Sequence, residues 1–298
     1  MTDTQRVYWR HPDLGARRLI DVPGGPMAVH DAGAGAPIVF VHGFAVNANL
    51  WRKVVGELSG EFRCIAVDLP LGSHELPMPA ADLTIPGLAG MLAAAIAALG
   101  LGPVTLVGND SGDAVCQVLA TTRPDLVAGL VLTSGDAYDN CPPQAFRFLK
   151  LLARVPGGIA ALATTLRMNT LRRLPIAYGW LTRRPIDPRA FDSYCLPMID
   201  NAAIRSDTRR VLAGLNPRVT LAAAQRFGEF DRPVLIAWSR EDKFFPTAHA
   251  EQLARDFPDA RLEWVDDSYT FSPEDKPQRL TALIRAFVGS PRPQGSPA

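Results

Sequence analysis

The chain has 298 residues, 47% of them hydrophobic and 20% charged, with a formal net charge of +1. That balance suits a globular protein with a full core in one large domain or two, and gives no overall charge with which to hold nucleic acid or an anionic membrane. Met1 to Asp13 is polar and lacks the apolar stretch of a secretory signal, and the longest apolar run, Ala89 to Leu101, is too short to span a bilayer. In chain order, Arg17 to Val22 and Met27 to Asp31 read as short strands around a Gly-Gly-Pro turn. Pro37 to Val41 is a third, strongly apolar strand that runs into His42-Gly43-Phe44, followed by a helix near Trp51 to Leu58. Phe62 to Val67 is the fourth strand. It ends at Asp68, ahead of a Pro/Gly-rich loop, Leu69 to Pro79, that contains His74. Pro86 to Leu99 is an Ala-rich helix, Val104 to Val107 a buried strand, and Val127 to Thr133 the sixth strand. Strands alternating with helices predict a mostly parallel sheet covered on both faces.

From Asp139 to about Phe227 the strand pattern stops, and helical, Arg- and Leu-rich segments punctuated by prolines take over. We read 139–227 as a helical cap inserted into an α/β core made of 1–138 and 228–289. The sheet then resumes with Pro233 to Ser239, a helix from Thr247 to Phe257, a strand from Arg261 to Val265 and a last helix from Lys276 to Val288. The three prolines of 290–298 suggest a disordered tail. The four cysteines, Cys64, Cys116, Cys141 and Cys195, show no metal-type spacing and read as free thiols of a cytoplasmic protein.

The chemistry centres on Gly108-Asn109-Asp110-Ser111-Gly112, between a strand and a helix. Gly-x-Asp-x-Gly at that junction has the spacing of a nucleophile elbow, with Asp where Ser is usual. The turn tolerates only small residues two positions before and after the nucleophile. Gly108 and Gly112 meet that condition for Asp110, whereas a Ser111 nucleophile would put Asn109 and Asp113 there. In an open parallel sheet, ligands bind beyond the carboxyl ends of the strands. The loop after the third strand therefore bears on the site. Its tight Gly43 lets the Phe44 N–H join the Ser111 N–H in an oxyanion hole, and His42 reads as a residue that holds the loop. After the seventh strand, Asp242 stands where a triad acid belongs.

The order strand, His-Gly-Phe, Gly-x-Asp-x-Gly, cap, Glu-Asp-x-Phe-Phe-Pro resembles the α/β-hydrolase superfamily, over roughly Pro26 to Gly289. More narrowly, it resembles the branch of epoxide hydrolases and haloalkane dehalogenases, in which an Asp forms an alkyl ester and a His activates the water that cleaves it. The resemblance implies an eight-stranded, mostly parallel sheet flanked by helices, a helical cap, no cofactor and a small-molecule substrate. It leaves the oligomeric state open and implies no nucleic-acid or membrane partner. It also implies a His after the eighth strand, in the stretch Asp266-Asp267-Ser268-Tyr269-Thr270-Phe271, and there the chain departs from the pattern. We place Tyr269 at the His position. A phenol of pKa ~10 is a poor base at neutral pH, though it can donate to Asp242. His74 is the one other histidine in a loop that can face the site, and is a candidate replacement base. Tyr178 and Tyr194, in the cap, are candidates to protonate an epoxide oxygen. Asp136 and Asp139, after the sixth strand, rank below Asp242 as the acid. Dehalogenation is the weaker reading, because Ser111 stands where that branch places a halide-binding Trp. Two further readings follow from the missing His: a non-hydrolytic isomerase or cyclase using Asp110 as acid or base, and a ligand-binding pseudoenzyme.

Overall fold

Eight strands form one sheet in the order β1-β2-β4-β3-β5-β6-β7-β8 in a computed structural model that describes residues 8–290. They are β1 Ala16–Val22, β2 Gly25–Ala32, β3 Pro37–Val41, β4 Arg63–Val67, β5 Val104–Asp110, β6 Val127–Gly135, β7 Val234–Ser239 and β8 Ala260–Val265. The pairs β1·β2 and β2·β4 are antiparallel, and the remaining neighbours are parallel. Every residue of β5 and β7 is buried. That explains their continuous apolar sequence, since a parallel strand with helices on both faces has no solvent side. Each predicted strand is present. β5 and β6 run two or three residues further than their apolar runs, because Gly108, Asn109, Ser134 and Gly135 extend the parallel ladder without apolar side chains. That extension carries the elbow out to the carboxyl edge of the sheet.

The core helices are α1 Arg52–Leu58, α2 Ile85–Ala98 and α3 Ser111–Thr122, with α10 Thr247–Asp256, α11 Ser272–Asp275 and α12 Pro277–Gly289 after the cap. Thr84 caps α2 by accepting from the Gly87 N–H, and Pro86 sits in its first turn, where no N–H is needed. Between β6 and β7, in the segment read from sequence as the cap, lie α4 Arg147–Arg154, α5 Gly158–Thr165, α6 Asn169–Arg172, α7 Pro188–Asp200, α8 Ala202–Gly214 and α9 Pro217–Ala224. Asp187, Asn201 and Asn216 cap α7, α8 and α9 through their side-chain oxygens.

Two of these cap helices are tied to the core by buried polar contacts. Asn47 Nδ2 donates to the Ser193 carbonyl (2.9 Å), Ser73 Oγ to the Tyr194 carbonyl (2.6 Å) and the Met78 N–H to Asp207 Oδ2 (2.7 Å). Arg52 pairs with Glu274 under α7, and the Tyr194 hydroxyl joins that pair at 3.2 Å from Glu274 Oε1. Breaking a buried, hydrogen-bonded ion pair by removing one partner costs about 3–5 kcal/mol, so this junction fixes where the cap sits. The four cysteines are buried and unpaired. No helix among the described residues is long and apolar enough to cross a membrane. Apart from Ser290, the stretch expected to be a tail lies outside the described residues.

Candidate active site

Asp110 is the last residue of β5 and the N-cap of α3, with φ 54° and ψ −128°. A non-glycine residue at positive φ costs on the order of 1–3 kcal/mol and persists only where its surroundings impose it. Those surroundings are tight. A Cβ on Gly112 would lie 2.4 Å from the Val41 carbonyl oxygen, and one on Gly108 would lie 2.9 Å from the Asp113 Cα. Gly43 is constrained from the other side, since a Cβ there would lie 2.3 Å from Asp110 Oδ2. Its absence lets the Phe44 N–H donate to Asp110 Oδ2 at 3.0 Å. The Ser111 N–H also donates to the Asp110 carboxyl. The carboxyl thus rests in a backbone donor pocket, with Oδ2 on the Phe44 N–H.

Asp110 and Ser111 form the polar end of a cavity of about 100 Å³. Apart from the Tyr178 ring, its remaining walls are apolar, from Phe44 and Ala45 in the core and from Phe146, Leu162, Met198 and Leu212 in the cap. No histidine, lysine or arginine lines it among the described residues. Burial raises the Asp110 carboxyl well above the ordinary carboxylate range, and the nearby Asp136 and Asp242 add to the shift. Asp136, just beyond β6, is fully buried, and its carboxyl accepts hydrogen bonds from the Ser111 hydroxyl and the Cys141 thiol. Burial pushes it up to about 7. Asp242 is also raised by burial, to about 6. Its Oδ1 accepts from the Phe244 and Phe245 N–H groups at 2.8 and 2.9 Å, and the Ser134 hydroxyl also donates to the carboxyl. The site is a group of buried carboxyls with no cation among the residues lining it, and all three are raised above the ordinary carboxylate range.

The predicted partner of Asp242 needs correction. The Tyr269 ring lies between the Arg183 guanidinium and the Lys243 ammonium, 5.3 and 5.1 Å from its centroid, a cation–π arrangement at the half-buried edge of the loop. The side chain that reaches Asp242 is Thr270, whose Oγ1 donates to Oδ1 at 3.2 Å. Thr270 is held there from the elbow, because Asn109 Nδ2 donates to its carbonyl at 2.8 Å and to Thr133 Oγ1 at 2.7 Å. Sequence reasoning passed over Asn109 and Thr270. The signal was available in the amide directly before Asp110, since a buried Asn must find partners.

The other candidates separate. His74 Nε2 lies 3.2 Å from Asp207 Oδ2 of α8, buried away from the cavity lining. That pair joins core to cap, which leaves His74 no path to a bound ester. Tyr194 is likewise outside the cavity, on Glu274. Tyr178 does line it, with its hydroxyl donating to the Ala45 carbonyl at 2.6 Å. His42 Nδ1 lies 2.8 Å from the Gly43 carbonyl oxygen, in keeping with a residue that shapes the loop. Asp139 is exposed and faces His249 at 3.6 Å.

Residues 36–277 match the family model described as alpha/beta hydrolase fold. A haloalkane dehalogenase of Agrobacterium fabrum is 27% identical over 285 residues, covering 91% of each chain. A cis-3-alkyl-4-alkyloxetan-2-one decarboxylase of Xanthomonas campestris pv. campestris is 29% identical over 290 residues, covering 91% of this chain and 95% of that protein. Among solved structures, the ligand-free epoxide hydrolase CorEH superposes with a TM-score of 0.77 at 21% identity, covering 92% of this chain and 98% of that one.

Proposed function

The chain belongs to the α/β-hydrolase fold family, and on that premise we propose that it is an enzyme in which Asp110 attacks a small apolar electrophile, in the manner of an epoxide hydrolase. The observation that carries this reading is the Asp110 carboxyl itself, with Oδ2 seated on the Phe44 N–H and the group facing an apolar cavity. In the first step Oδ1 bonds to a ring carbon as the ring C–O bond breaks, and the departing oxygen takes a proton from the Tyr178 hydroxyl at the cavity wall, which the proton lost by water in the second step restores. Asp110 must be ionised to attack, so in the productive form the proton of the acid group rests on Asp136 or Asp242. In the second step water adds to the ester carbonyl, and the charge that develops on Oδ2 meets donors already in place. That water must lose a proton, and Thr270 stands beside Asp242 where a base is needed.

The names of the two relatives refer to haloalkanes and to an oxetan-2-one, both small electrophiles. A strained ring suits this cavity better than a halide does, since no indole N–H lines it to hold a leaving anion. A second reading is supported by the raised Asp110 carboxyl: a protonated Asp110 is a general acid, and the reaction is then a rearrangement or elimination without water. A single turnover of an epoxide in ¹⁸O-water separates the two. The ester route gives a diol whose new oxygen is ¹⁶O from Asp110, with ¹⁸O left in the protein. An ¹⁸O-labelled diol from an unlabelled protein, or a product with no added oxygen, would rule the nucleophile out.

A further inference from the structure

The near-neutral chain conceals a one-sided cap. Between Asp139 and Asp187 the sequence has eight Lys and Arg residues and no Asp or Glu. Within this stretch Arg147, Arg154, Arg167 and Arg173 are exposed, and they enter no ion pair among the described residues. Each is followed in the chain by an exposed apolar side chain, respectively Phe148, Val155, Met168 and Leu174. Seven of the nine large apolar residues exposed among the described residues fall between 148 and 180, including Leu151 (64% exposed), Ile176 (59%) and Trp180 (46%). A contiguous apolar patch on a protein surface marks an interaction site. The exposed set lies on α4 to α6 and the turn after them, with Phe148, Leu151 and, at the C-cap, Val155 spaced i, i+3 and i+7 along one face of α4, whereas α7, α8 and α9 are the helices bonded to the core. It also leads inward, since Phe148 (41% exposed) and Ile176 both line the Asp110 cavity.

Charge selects the occupant. A second copy of the chain would bring two arginine-rich faces together, which repel. Nucleic acid would satisfy the arginines but leave Leu151, Val155, Met168 and Ile176 without anything to pack against. An anionic lipid surface satisfies both sets, with guanidinium groups among the headgroup phosphates and Leu and Trp side chains at the acyl boundary. We propose that the front of the cap seats on an anionic membrane surface, so that apolar substrates pass from the lipid into the cavity. This seating is independent of the chemistry assigned to Asp110.

The test is cosedimentation of the full chain with vesicles of phosphatidylcholine alone or mixed with phosphatidylglycerol, at low and high salt. We expect binding to the mixed vesicles only, weakened by salt. It should fall about five-fold for each arginine neutralised in Arg154→Gln and Arg167→Gln, and fall again in Leu151→Ser. Unchanged melting of these surface variants separates loss of the patch from loss of the fold. Absence of binding to phosphatidylglycerol vesicles at low salt would overturn the proposal, as would binding that the variants leave intact. So would a concentration-dependent dimer without lipid that Leu151→Ser dissociates, since a second copy would then cover the face.

Discussion

Two loops at the carboxyl edge of the sheet make an instructive contrast. The elbow between β5 and α3 is fixed from every side: three glycines admit close neighbours, a backbone N–H holds one carboxyl oxygen, and Asp110 accepts a strained φ of 54°. The loop after β8 faces an acid that is in place, since Asp242 beyond β7 keeps its backbone donors, but it presents a threonine hydroxyl to that acid. On the chemistry proposed above, the part of the site that forms a covalent bond has its groups in place, while the part that releases it lacks its base. The two halves of a two-step mechanism rest on different loops, so a sequence can keep one and alter the other. The raised carboxyls of Asp110, Asp136 and Asp242 fit this picture, because no imidazolium offsets their charge.

The strongest way to break the contrast is at the elbow. Asp110→Asn should abolish covalent labelling by epoxides, a loss on the order of 10⁴-fold or more. The check is single-turnover kinetics, and residual labelling at another residue would remove Asp110 from the reaction. Next comes the altered loop. Thr270→His should place an imidazole on Asp242 and speed decay of the Asp110 ester by roughly 10²- to 10⁴-fold, as followed by pulse-chase of a labelled epoxide. Tyr269→His should leave that decay unchanged, since its ring sits between Arg183 and Lys243. If the tyrosine variant accelerates decay and the threonine variant does not, our placement of the loop is wrong. A smaller effect is expected from Gly43→Ala. Its Cβ would collide with Asp110 Oδ2 and misplace the nucleophile, with a fall of about 10²-fold in labelling rate.

The smallest expected effect concerns the protons of the acid group. The folded Asp136 carboxyl is raised to about 7, from 3.8. Its contribution to stability is therefore fully present below about pH 4 and lost as pH rises through 7. Asp136→Asn should remove that slope, so that relative to wild type it gains on the order of 4 kcal/mol between about pH 4 and pH 8. Removing a like charge should also lower the Asp110 carboxyl and move the onset of alkylation to lower pH. Denaturant melts at the two pH values and a pH–rate profile read these shifts. A variant melt with the wild-type slope would show that Asp136 is not buried neutral.

The sheet and the elbow were legible in the sequence because the middle of a buried parallel strand is dominated by apolar residues, and a strained turn between packed neighbours is flanked by glycine. The Phe44 donor followed from the same constraint, through Gly43. The loop after β8 was not legible to the residue. Between Val265 and Ser272 no repeating pattern fixes side-chain direction, and Asp267 turns the chain at φ 56°. An offset of one residue therefore separates the expected Tyr269 from the observed Thr270. His74 misled for a related reason, since a loop histidine shows no sign of the Asp207 that lies far along the chain. The basic cap was hidden by averaging, because its eight positive charges are offset by acids elsewhere in the chain.

The central claim is that attack by Asp110 outruns release. It is tested most directly by intact-protein mass spectrometry of the wild-type chain and of Thr270→His after exposure to a panel of small epoxides, with peptide mapping of any adduct. The account predicts a persistent wild-type adduct of the mass of one epoxide on the peptide that carries Asp110, and its rapid loss from Thr270→His. Fast wild-type turnover with no adduct at any time, or an adduct elsewhere in the chain, would contradict it.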